Sequence, residues 1–514
     1  MEKKVPALQM RNITKRFGDK VVANKDVSLD VYSGEILALL GENGSGKTTL
    51  MNMLSGIYFP DEGSIFMNEK EVSIRSPKDA LNLGIGMVHQ HFKLVDVLTA
   101  AENIILGLKE KGGLNIKKAA KRIQEISERY GFDVDPYQKI YEMSVSQKQT
   151  VEIIKVLYRG ANLLILDEPT AVLTPQESEK LFAVIRNMKA DGKSIIIITH
   201  KMQEVLDVSD RVAILRKGEY ICDYETANAS VQQLTDAMVG HKVILNIEHP
   251  EPVDPKDRIR VEHLTVKSMD GVVRLNDISF TARSGEILGI AGISGNGQKE
   301  LLEAIAGLQP VSNGSIRYVN DDGTEEELIG KDPLKITKMG VALSFVPEDR
   351  LGMGLVGSMS LAENMMLRSF RNGKGLFADR KTPHELAEHV VEELDVKTPS
   401  LDTPVKKLSG GNVQKILVGR EIASAPTVLL TAYAVRGLDI NSSYTIYEQI
   451  NRQKEAGVAV IFVGEDLDVL LELSDHLLVL CGGQVSGILD TRKATKNQVG
   501  LMMTKLGGGE ADES

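Results

Sequence analysis

The sequence of 514 residues contains little cysteine, no long apolar run and no excess of positive charge. Its two cysteines, Cys222 and Cys481, lie in apolar, strand-like stretches. A free thiol there behaves as a small hydrophobic group, so we expect core residues rather than a disulfide. No apolar segment approaches the roughly 18–20 residues that a membrane span needs. The net charge of −10 argues against a protein that binds nucleic acid by neutralising phosphates.

We expect no secretory signal at the start of the chain. Its first ten residues, MEKKVPALQM, contain no apolar core of a signal peptide. We therefore expect a cytosolic chain, and any work at a membrane would need another subunit to supply the membrane part. The length predicts two domains of roughly 200–250 residues each.

What the sequence does contain is a long internal repeat. The segment SGEILALLGENGSGKTTL begins at Ser33, and SGEILGIAGISGNGQKEL begins at Ser284, an offset of 251 residues. Further on, SVSQKQTVEIIKVL from Ser144 matches SGGNVQKILVGREI from Ser409, an offset of 265 residues. The second copy therefore has the longer middle.

The repeat and the composition predict four segments. The two copies span residues 5–240 and 259–505, and the proline-bearing stretch 241–258 between them is typical of a linker. Residues 506–514, which end in GGGEADES, are typical of a frayed acidic tail.

Each copy contains short, continuous apolar runs that alternate with helical periods. Such runs are typical of strands buried on both faces of a mostly parallel sheet, which predicts an α/β fold. In the first copy they begin at Ile36, Leu163, Ser194 and Val212. The region from about 95 to 140 has helical periodicity instead and is predicted to be an inserted helical subdomain.

A phosphate-binding loop follows the first of these runs. Residues 41–48, GENGSGKT, have two glycines flanking four residues, then lysine and threonine. The glycines let backbone amides turn towards phosphate oxygens, and the following helix adds its positive N-terminal end. Lys47 is expected to contact the β- and γ-phosphates, and Thr48 to ligate Mg²⁺. The alternative is a chance glycine turn, which the preceding buried strand disfavours.

Two acids and a histidine follow later apolar runs. Asp167 and Glu168 come after Leu163-Leu-Ile-Leu and so are predicted at the sheet edge where ligands bind. Asp167 is expected to hold Mg²⁺ through water, and Glu168 to orient or deprotonate the attacking water. His200 could sense the γ-phosphate, and Gln90 could contact Mg²⁺ and water. Taken singly, both also fit ordinary structural or surface positions.

Together these motifs resemble the ATP-binding cassette (ABC) family over nearly the whole chain. The family has a phosphate loop, a glutamine loop, a Leu-Ser-Gly-Gly signature, an Asp-Glu pair and a histidine in this order. The resemblance implies two tandem P-loop ABC ATPase domains, each with a mostly parallel sheet, an antiparallel β part and a helical insertion. It also implies that ATP lies between the phosphate loop of one cassette and the signature of the other.

The resemblance assigns residues to the first site, with ATP and Mg²⁺ as ligands. Phe17 is at the position where the family stacks an aromatic ring on adenine; an ordinary packed phenylalanine is the alternative. The expected ATP-binding residues are Phe17, Gly41, Asn43, Gly44, Gly46, Lys47, Thr48, Thr49, Ser409, Gly410, Gly411 and Asn412. The expected metal ligands are Thr48, Gln90 and Asp167, and the expected catalytic residues are Glu168, His200 and Gln90.

The second site departs from the family pattern at nearly every chemical group. The glycine frame of Gly292 and Gly297 survives, but Gln298 and Lys299 replace lysine and Ser/Thr. Ala432 and Tyr433 replace the acids, Glu348 replaces the glutamine and Glu465 replaces the histidine. The opposing signature, with Ser144 and Ser146, has serine in place of a glycine. We expect hydrolysis at the first site only.

The tandem layout is most similar to the ATPase subunit of bacterial importers for simple sugars and nucleosides. The segments FVPEDR from Phe345, LSGGN from Leu408 and RGLD from Arg436 are characteristic of that group. The segment GMVHQHF from Gly86 resembles the branch that imports purine nucleosides with a lipoprotein receptor. This implies membrane permease partners, a position on the cytoplasmic face of the membrane, and a clamp that ATP closes and hydrolysis opens.

Two other function classes stay open at this stage. One is a ribosome-associated tandem ABC ATPase, although such proteins usually have a long charged linker and two intact sites. The other is a non-hydrolysing regulatory subunit, against which the intact first site argues.

Overall fold

A computed structural model describes most of the chain. The described residues are 6–18, 21–90, 92–108, 115–171, 173–199, 201–242, 247–268, 270–293, 295–345, 354–369, 379–422, 426–435, 438, 440–464 and 466–504. The chain divides into two compact units, Met1–Ile244 and Leu245–Ser514.

The first unit alternates strands and helices. Its strands are β1 (Pro6–Phe17), β2 (Val21–Tyr32), β3 (Ile36–Leu40), β4 (Glu62–Met67), β5 (Lys70–Val72), β6 (Ile85–Val88), β7 (Leu163–Asp167), β8 (Ser194–Ile198), β9 (Arg211–Arg216) and β10 (Glu219–Glu225). Its helices are α1 (Lys47–Leu54), α2 (Pro77–Asn82), α3 (Ala100–Ile105), α4 (Ile116–Tyr130), α5 (Val145–Tyr158), α6 (Pro175–Ala190), α7 (Met202–Val208) and α8 (Val231–Val239).

These strands form two sheets. One is antiparallel, in the order β2-β1-β4-β5. The other has the order β10-β9-β3-β8-β7-β6 and is parallel except for β10 at its edge. The continuous apolar runs of the sequence are the central strands β3, β7 and β8, every residue of which is buried. The predicted α/β fold is therefore confirmed.

Helix α1 lies in the core between the two sheets. One buried cluster joins α1 to the antiparallel sheet and to one face of the parallel sheet, through residues such as Leu50, Met10 and Leu39. A second cluster covers the opposite face of the parallel sheet with α5 and α6. The packing fixes α1 directly behind the loop that leaves β3.

The second unit repeats this plan. Its strands are β11 (Asp257–Lys267), β12 (Val273–Arg283), β13 (Ile287–Ala291), β14 (Asn313–Val319), β15 (Glu325–Glu327), β16 (Val341–Phe345), β17 (Val428–Ala432), β18 (Ala459–Val463), β19 (His476–Cys481) and β20 (Gln484–Asp490). Its helices are α9 (Gln298–Ile305), α10 (Pro333–Lys338), α11 (Leu361–Ser369), α12 (Lys381–Glu393), α13 (Gly410–Ile422), α14 (Ile440–Glu455), α15 (Leu467–Leu473) and α16 (Lys496–Met502).

The sheet orders of the second unit match those of the first. The antiparallel sheet has the order β12-β11-β14-β15, and the larger sheet has the order β16-β17-β18-β13-β19-β20. In the larger sheet β20 again pairs antiparallel at the edge, and the other pairings are parallel. The repeat seen in the sequence is therefore a repeat of whole folds.

The predicted helical insertion is present in the first unit. Helices α3, α4 and α5 share a buried cluster that includes Ile104, Ile123 and Ile154. The cap of α3 is a full capping box, in which Thr99 and Glu102 exchange backbone-to-side-chain hydrogen bonds. In the second unit, α11, α12 and α13 contribute Met365, Val390 and Leu417 to one core.

The segment predicted as a linker is attached, where it is described, to the second unit. Ile247 packs against the core of that unit, and the carbonyl of Glu248 accepts a hydrogen bond from Asn451. His249 lies 3.3 Å from the carboxylate of Asp475, and Glu251 forms an ion pair with Arg492. This stretch therefore covers one side of the second unit.

The predictions about membrane spans and about the two cysteines can be compared with the structure. Among the described residues, no helix combines the length and apolarity needed to cross a bilayer. Cys222 and Cys481 are free thiols in β10 and β19, as expected, but both are partly exposed rather than in the core, because each lies at or beside the sheet edge.

Candidate nucleotide site

The loop between β3 and α1 is built on glycines that no other residue could replace without strain. A Cβ atom on Gly41 would lie 2.3 Å from the carbonyl oxygen of Leu215, and one on Gly46 would lie 2.3 Å from that of Ala23. Gly44 and Gly46 also have positive φ angles of 81° and 93°. Gly46 caps α1, so the loop turns directly into the helix N-terminus.

Lys47 reaches back across this loop. Its ammonium donates hydrogen bonds to the carbonyls of Gly41 (2.6 Å) and Glu42 (2.9 Å), and the residue is only 7% exposed. Burial lowers the pKa of Lys47 from its ordinary value, and the carboxylates of Glu168, Asp167 and Glu42 act in the opposite direction. The lysine thus places a positive charge directly beneath the loop.

The two acids lie at the end of β7, within electrostatic range of this lysine. Asp167 is buried and hydrogen-bonded to the side chain of Thr48. Burial raises the pKa of Asp167 to about 6, and the neighbouring Glu168 carboxylate adds to the rise, whereas Lys47 and Thr48 lower it. The first unit therefore brings lysine, threonine and both acids together at one point.

Glu168 has a left-handed backbone, with φ of 48°. Its amide donates to the carbonyl of Ile198 at 2.8 Å, which fixes the turn that leaves β7 against β8. A non-glycine residue in this conformation is uncommon, costs about 1–3 kcal/mol and occurs often at functional sites. The backbone at Glu168 therefore leaves the regular path of the strand.

The remaining predicted residues of the first site lie at or near the loop. Asn43 and Thr48 are exposed and Thr49 is half-buried. Gln90 is exposed just beyond β6, at the same edge of the sheet. Phe17 ends β1, is 40% exposed and packs edge-to-face on Tyr58 with ring centroids 5.2 Å apart. His200 lies outside the described residues.

The loop of the second unit keeps the same backbone frame. Gly297 caps α9 with φ of 99° and ψ of 5°, and Gly46 caps α1 with 93° and 2°. Gly295 also has positive φ, and a Cβ on Gly292 would lie 2.5 Å from the amide nitrogen of Gln298. The glycines therefore still shape a loop of the phosphate-binding type.

The charged groups of that loop are different. Gln298 is buried and its Nε2 donates to the carbonyl of Ile293 at 3.1 Å, the position that corresponds to Glu42 in the first unit. A neutral amide thus takes the place of the Lys47 ammonium. The ammonium of Lys299 lies 3.7 Å from the carboxylate of Glu303, one turn further along α9, so the two form an ion pair within the helix.

The acid pair is replaced at the corresponding strand end. Ala432 is the last residue of β17, as Asp167 is of β7. Tyr433 has φ of 57°, and its amide donates to the carbonyl of Val463 at 3.1 Å, as the Glu168 amide does to Ile198. The strained backbone survives without a carboxylate on it. Glu348 and Glu465 lie outside the described residues.

In each unit the first serine of the signature, Ser144 or Ser409, lies at the N-terminus of a helix. Ser144 caps α5, accepts from the amide of Gln147 and lies 3.0 Å from the hydroxyl of Ser146. In the second unit the side-chain amide of Asn412 donates to the Ser409 hydroxyl at 2.9 Å. Gly410 begins α13, and a Cβ on Gly411 would meet no atom closer than 3.8 Å. The close packing found at the loop glycines is thus absent around Gly411, within the described residues.

Sequence reasoning missed Asn24, which supports the loop from β2. Its side chain is fully buried and donates from Nδ2 to the carbonyl of Gly46 at 3.3 Å. The corresponding residue in the second unit, Leu275, is apolar, and its side chain occupies the space where a Cβ atom on Gly297 would lie. The sequence did contain a signal for this role: Asn24 is a polar residue at a core position of the strand pattern, and the matching position of the second copy is a leucine.

Comparison with known proteins agrees with this geometry. The family model described as ABC transporter matches residues 24–171 and 275–431, which include both glycine loops and the acids at the end of β7. The chain belongs to the ABC transporter family. It is an ATP-binding chain of that family with two cassette units.

Three relatives align over nearly the whole chain. The nucleoside import ATP-binding protein NupA of Lactococcus lactis subsp. cremoris is 43% identical and covers 98% of this chain and 99% of its own. The guanosine import ATP-binding protein NupO of Bacillus subtilis is 40% identical (96% and 97%), and the ribose import ATP-binding protein RbsA 1 of Rubrobacter xylanophilus is 38% identical (96% and 97%).

Among solved structures, the archaeal ribosome recycling factor aABCE1, in complex with the ribosomal stalk protein aP1, is similar over 91% of this chain and 87% of that chain. The TM-score is 0.59 and the identity is 16%. At this identity the similarity shows the fold alone.

Proposed function

We propose that this chain is the ATP-hydrolysing subunit that powers import of a small solute through partner membrane permeases. A nucleoside is the favoured solute and a simple sugar the next. The names of the relatives support this choice, because the nucleoside and guanosine import proteins are 43% and 40% identical and the ribose import protein is 38% identical. The resemblance of the segment from Gly86 to the purine-nucleoside branch points the same way.

The observation that carries the proposal is the convergence of four groups in the first unit. Lys47 lies beneath the loop, Thr48 is hydrogen-bonded to Asp167, and Glu168 stands beside Asp167 at the strand end. A loop of backbone amides with a lysine binds phosphates, and a carboxylate beside it can orient or deprotonate water. This arrangement supports phosphoryl transfer from ATP to water.

The residues of the first unit also fit Mg²⁺. Thr48, Asp167 and Gln90 offer hydroxyl, carboxylate and amide oxygens, the hard ligands that Mg²⁺ prefers, and burial of Asp167 beside Glu168 favours a cation there. Among the described residues, no cluster of three or more metal-ligating His, Cys, Asp or Glu residues occurs. Bound there, Mg²⁺ would neutralise phosphate charge.

We assign roles to the residues on this basis. Lys47 contacts the β- and γ-phosphates, Phe17 stacks on the base, and Glu168 orients or deprotonates the attacking water. Gln90 and His200 assist at the metal and the γ-phosphate. Ser409, Gly410, Gly411 and Asn412 complete the first site from the second cassette. The second loop, opposed by Ser144 and Ser146, does not hydrolyse ATP, because it has neither the lysine nor the acids.

The chain then works at the cytoplasmic face of the membrane, bound to integral permease subunits, with a substrate-binding lipoprotein acting through them. Specificity for the transported solute lies in the receptor and the permeases, since the sequence motifs of this chain offer no pocket for a sugar or nucleoside. The ribosome-associated alternative is supported only by the similarity in fold to aABCE1. No residue of the site favours it. The non-hydrolysing alternative is disfavoured by the four converging groups.

The test is solute-stimulated ATP turnover in liposomes that contain this chain, its permeases and its receptor. We expect nucleosides to stimulate turnover and transport, and Glu168→Gln to abolish both without loss of complex assembly. Stimulation by ribose alone would transfer the proposal to the sugar branch. Turnover in the assembled complex that ignores every solute would contradict an import function.

A further inference from the structure

Tyr58 links the proposed base-stacking residue to the phosphate-binding helix. Its backbone amide donates to the carbonyl of Asn52 at 3.2 Å, in the last turn of α1, the helix whose first residue is Lys47. Its ring packs on the core and meets the Phe17 ring edge-to-face, with centroids 5.2 Å apart and planes at 75°. Such geometry is the favoured one for two aromatic rings.

The end of β1 that carries Phe17 is held on a second side by Asp61. This carboxylate forms an ion pair with Lys15 at 2.9 Å and accepts a hydrogen bond from the amide of Arg16 at 2.6 Å. The Lys15 ammonium in turn lies 5.7 Å from the centroid of the Phe17 ring. Phe17 is thus bounded by Tyr58 and Lys15 and remains 40% exposed, which leaves surface for a further flat ring.

The second unit provides an internal comparison. By the 251-residue offset, Val266, Ser268, Gln309 and Ser312 stand where the first unit has Lys15, Phe17, Tyr58 and Asp61. Ser268 uses its hydroxyl within its own turn, on Asp270 and Val272, and Gln309 donates to the carbonyl of Lys267. The whole aromatic and ionic cluster is therefore confined to the unit that keeps the lysine and both acids.

We propose that Tyr58 is a positioning residue for nucleotide binding: its ring fixes the Phe17 ring at the height at which a base can stack while the phosphates lie on the N-terminus of α1. The proposal rests on the proposed function, because it takes Phe17 as the base contact. Without the Tyr58 ring, the Phe17 side chain is free to turn. Restricting it again when a base stacks on it costs free energy, so binding of the base is weakened and binding of the phosphates is not.

The test is calorimetric binding of ATP, and of inorganic tripolyphosphate as a ligand without a base, to the full chain. We expect Tyr58→Leu to weaken ATP binding about three- to tenfold, with tripolyphosphate binding unchanged. Tyr58→Phe should bind as the wild type does, because it keeps the ring. Gln309→Leu is the matched control in the second unit and should have no effect.

A double-mutant cycle separates positioning from general support of the fold. The variant Phe17→Leu/Tyr58→Leu should bind ATP no more weakly than Phe17→Leu alone, because Tyr58 acts through Phe17. Additive losses, or equal losses for tripolyphosphate, would overturn the role of Tyr58. If Phe17→Leu itself left ATP binding unchanged, the base contact in the proposed function would be wrong instead.

Discussion

At the scale of single residues, the two units show that backbone and chemistry can diverge independently. Glu168 and Tyr433 share a left-handed backbone and the same amide contact to the next strand, yet only one carries a carboxylate. Lys47 and Gln298 both reach a carbonyl of their own loop, yet only one is charged. The second unit therefore keeps the backbone of the first loop and turn without the lysine and the carboxylate.

This comparison predicts the effect of copying one residue between the units. Lys47→Gln gives the first loop the side chain of the second, and the amide can still donate to the loop carbonyls. The loop should fold normally but lose the charge that stabilises the phosphates, so that ATP turnover falls by about 10²–10³. The measurement is steady-state phosphate release, with circular dichroism to check the fold.

The reciprocal exchange is the control. The double variant Lys47→Gln/Gln298→Lys moves the lysine to the second loop, where Ala432 and Tyr433 still stand in place of the acids. Turnover should stay as low as in Lys47→Gln alone. Recovery of turnover would show that the lysine suffices and that the acids are not needed.

At the scale of elements, sequence periodicity and motif spacing predicted a large part of the fold. The continuous apolar runs from Ile36, Leu163 and Ser194 are buried parallel strands, because both faces of the sheet are covered by helices. The phosphate loop lies between β3 and α1 as the glycine spacing required. These features are local in sequence, and local patterns encode them.

What the sequence did not predict depends on contacts between distant segments. The pairing of Phe17 with Tyr58 joins two elements that no periodicity connects. The attachment of residues 247–251 to the second unit was hidden, since three prolines and mixed charges are typical of a linker. The left-handed turn at Glu168 was also hidden, because glutamate has no preference for that conformation.

The attached segment changes the surroundings of an ion pair that both units contain. In the first unit Lys189 and Asp210 are 2.5 Å apart and more than a third exposed, at 37% and 38%. In the second unit the corresponding Lys454 and Asp475 are 2.8 Å apart and only 1% and 4% exposed, with His249 of the segment at 3.3 Å from Asp475. Covering the pair turns a surface contact into a buried one.

Removal of each lysine should therefore have very different costs. Lys454→Met leaves the Asp475 carboxylate buried without its main counter-charge and should destabilise the second unit by about 3–5 kcal/mol. Lys189→Met should cost at most about 1 kcal/mol, since water replaces the lysine. Scanning calorimetry of the full chain measures both, and equal shifts in the two variants would contradict the difference in burial.

At the scale of the whole molecule, the chain joins two cassette folds of the ABC transporter family, of which one keeps the loop lysine and both acids. Nearly full-length similarity to import ATP-binding proteins connects this asymmetry to transport. The difference between the two loops is the basis of the proposal that only the first unit hydrolyses ATP.

The most direct test of this account compares ATP turnover by the assembled complex in two matched variants, Glu168→Gln and Tyr433→Gln. Both place the same amide on the same left-handed turn, one in each unit. We predict that Glu168→Gln loses at least about 100-fold in turnover, whereas Tyr433→Gln keeps the wild-type rate. Turnover that survives Glu168→Gln, or that falls equally in Tyr433→Gln, would contradict hydrolysis by the first unit alone.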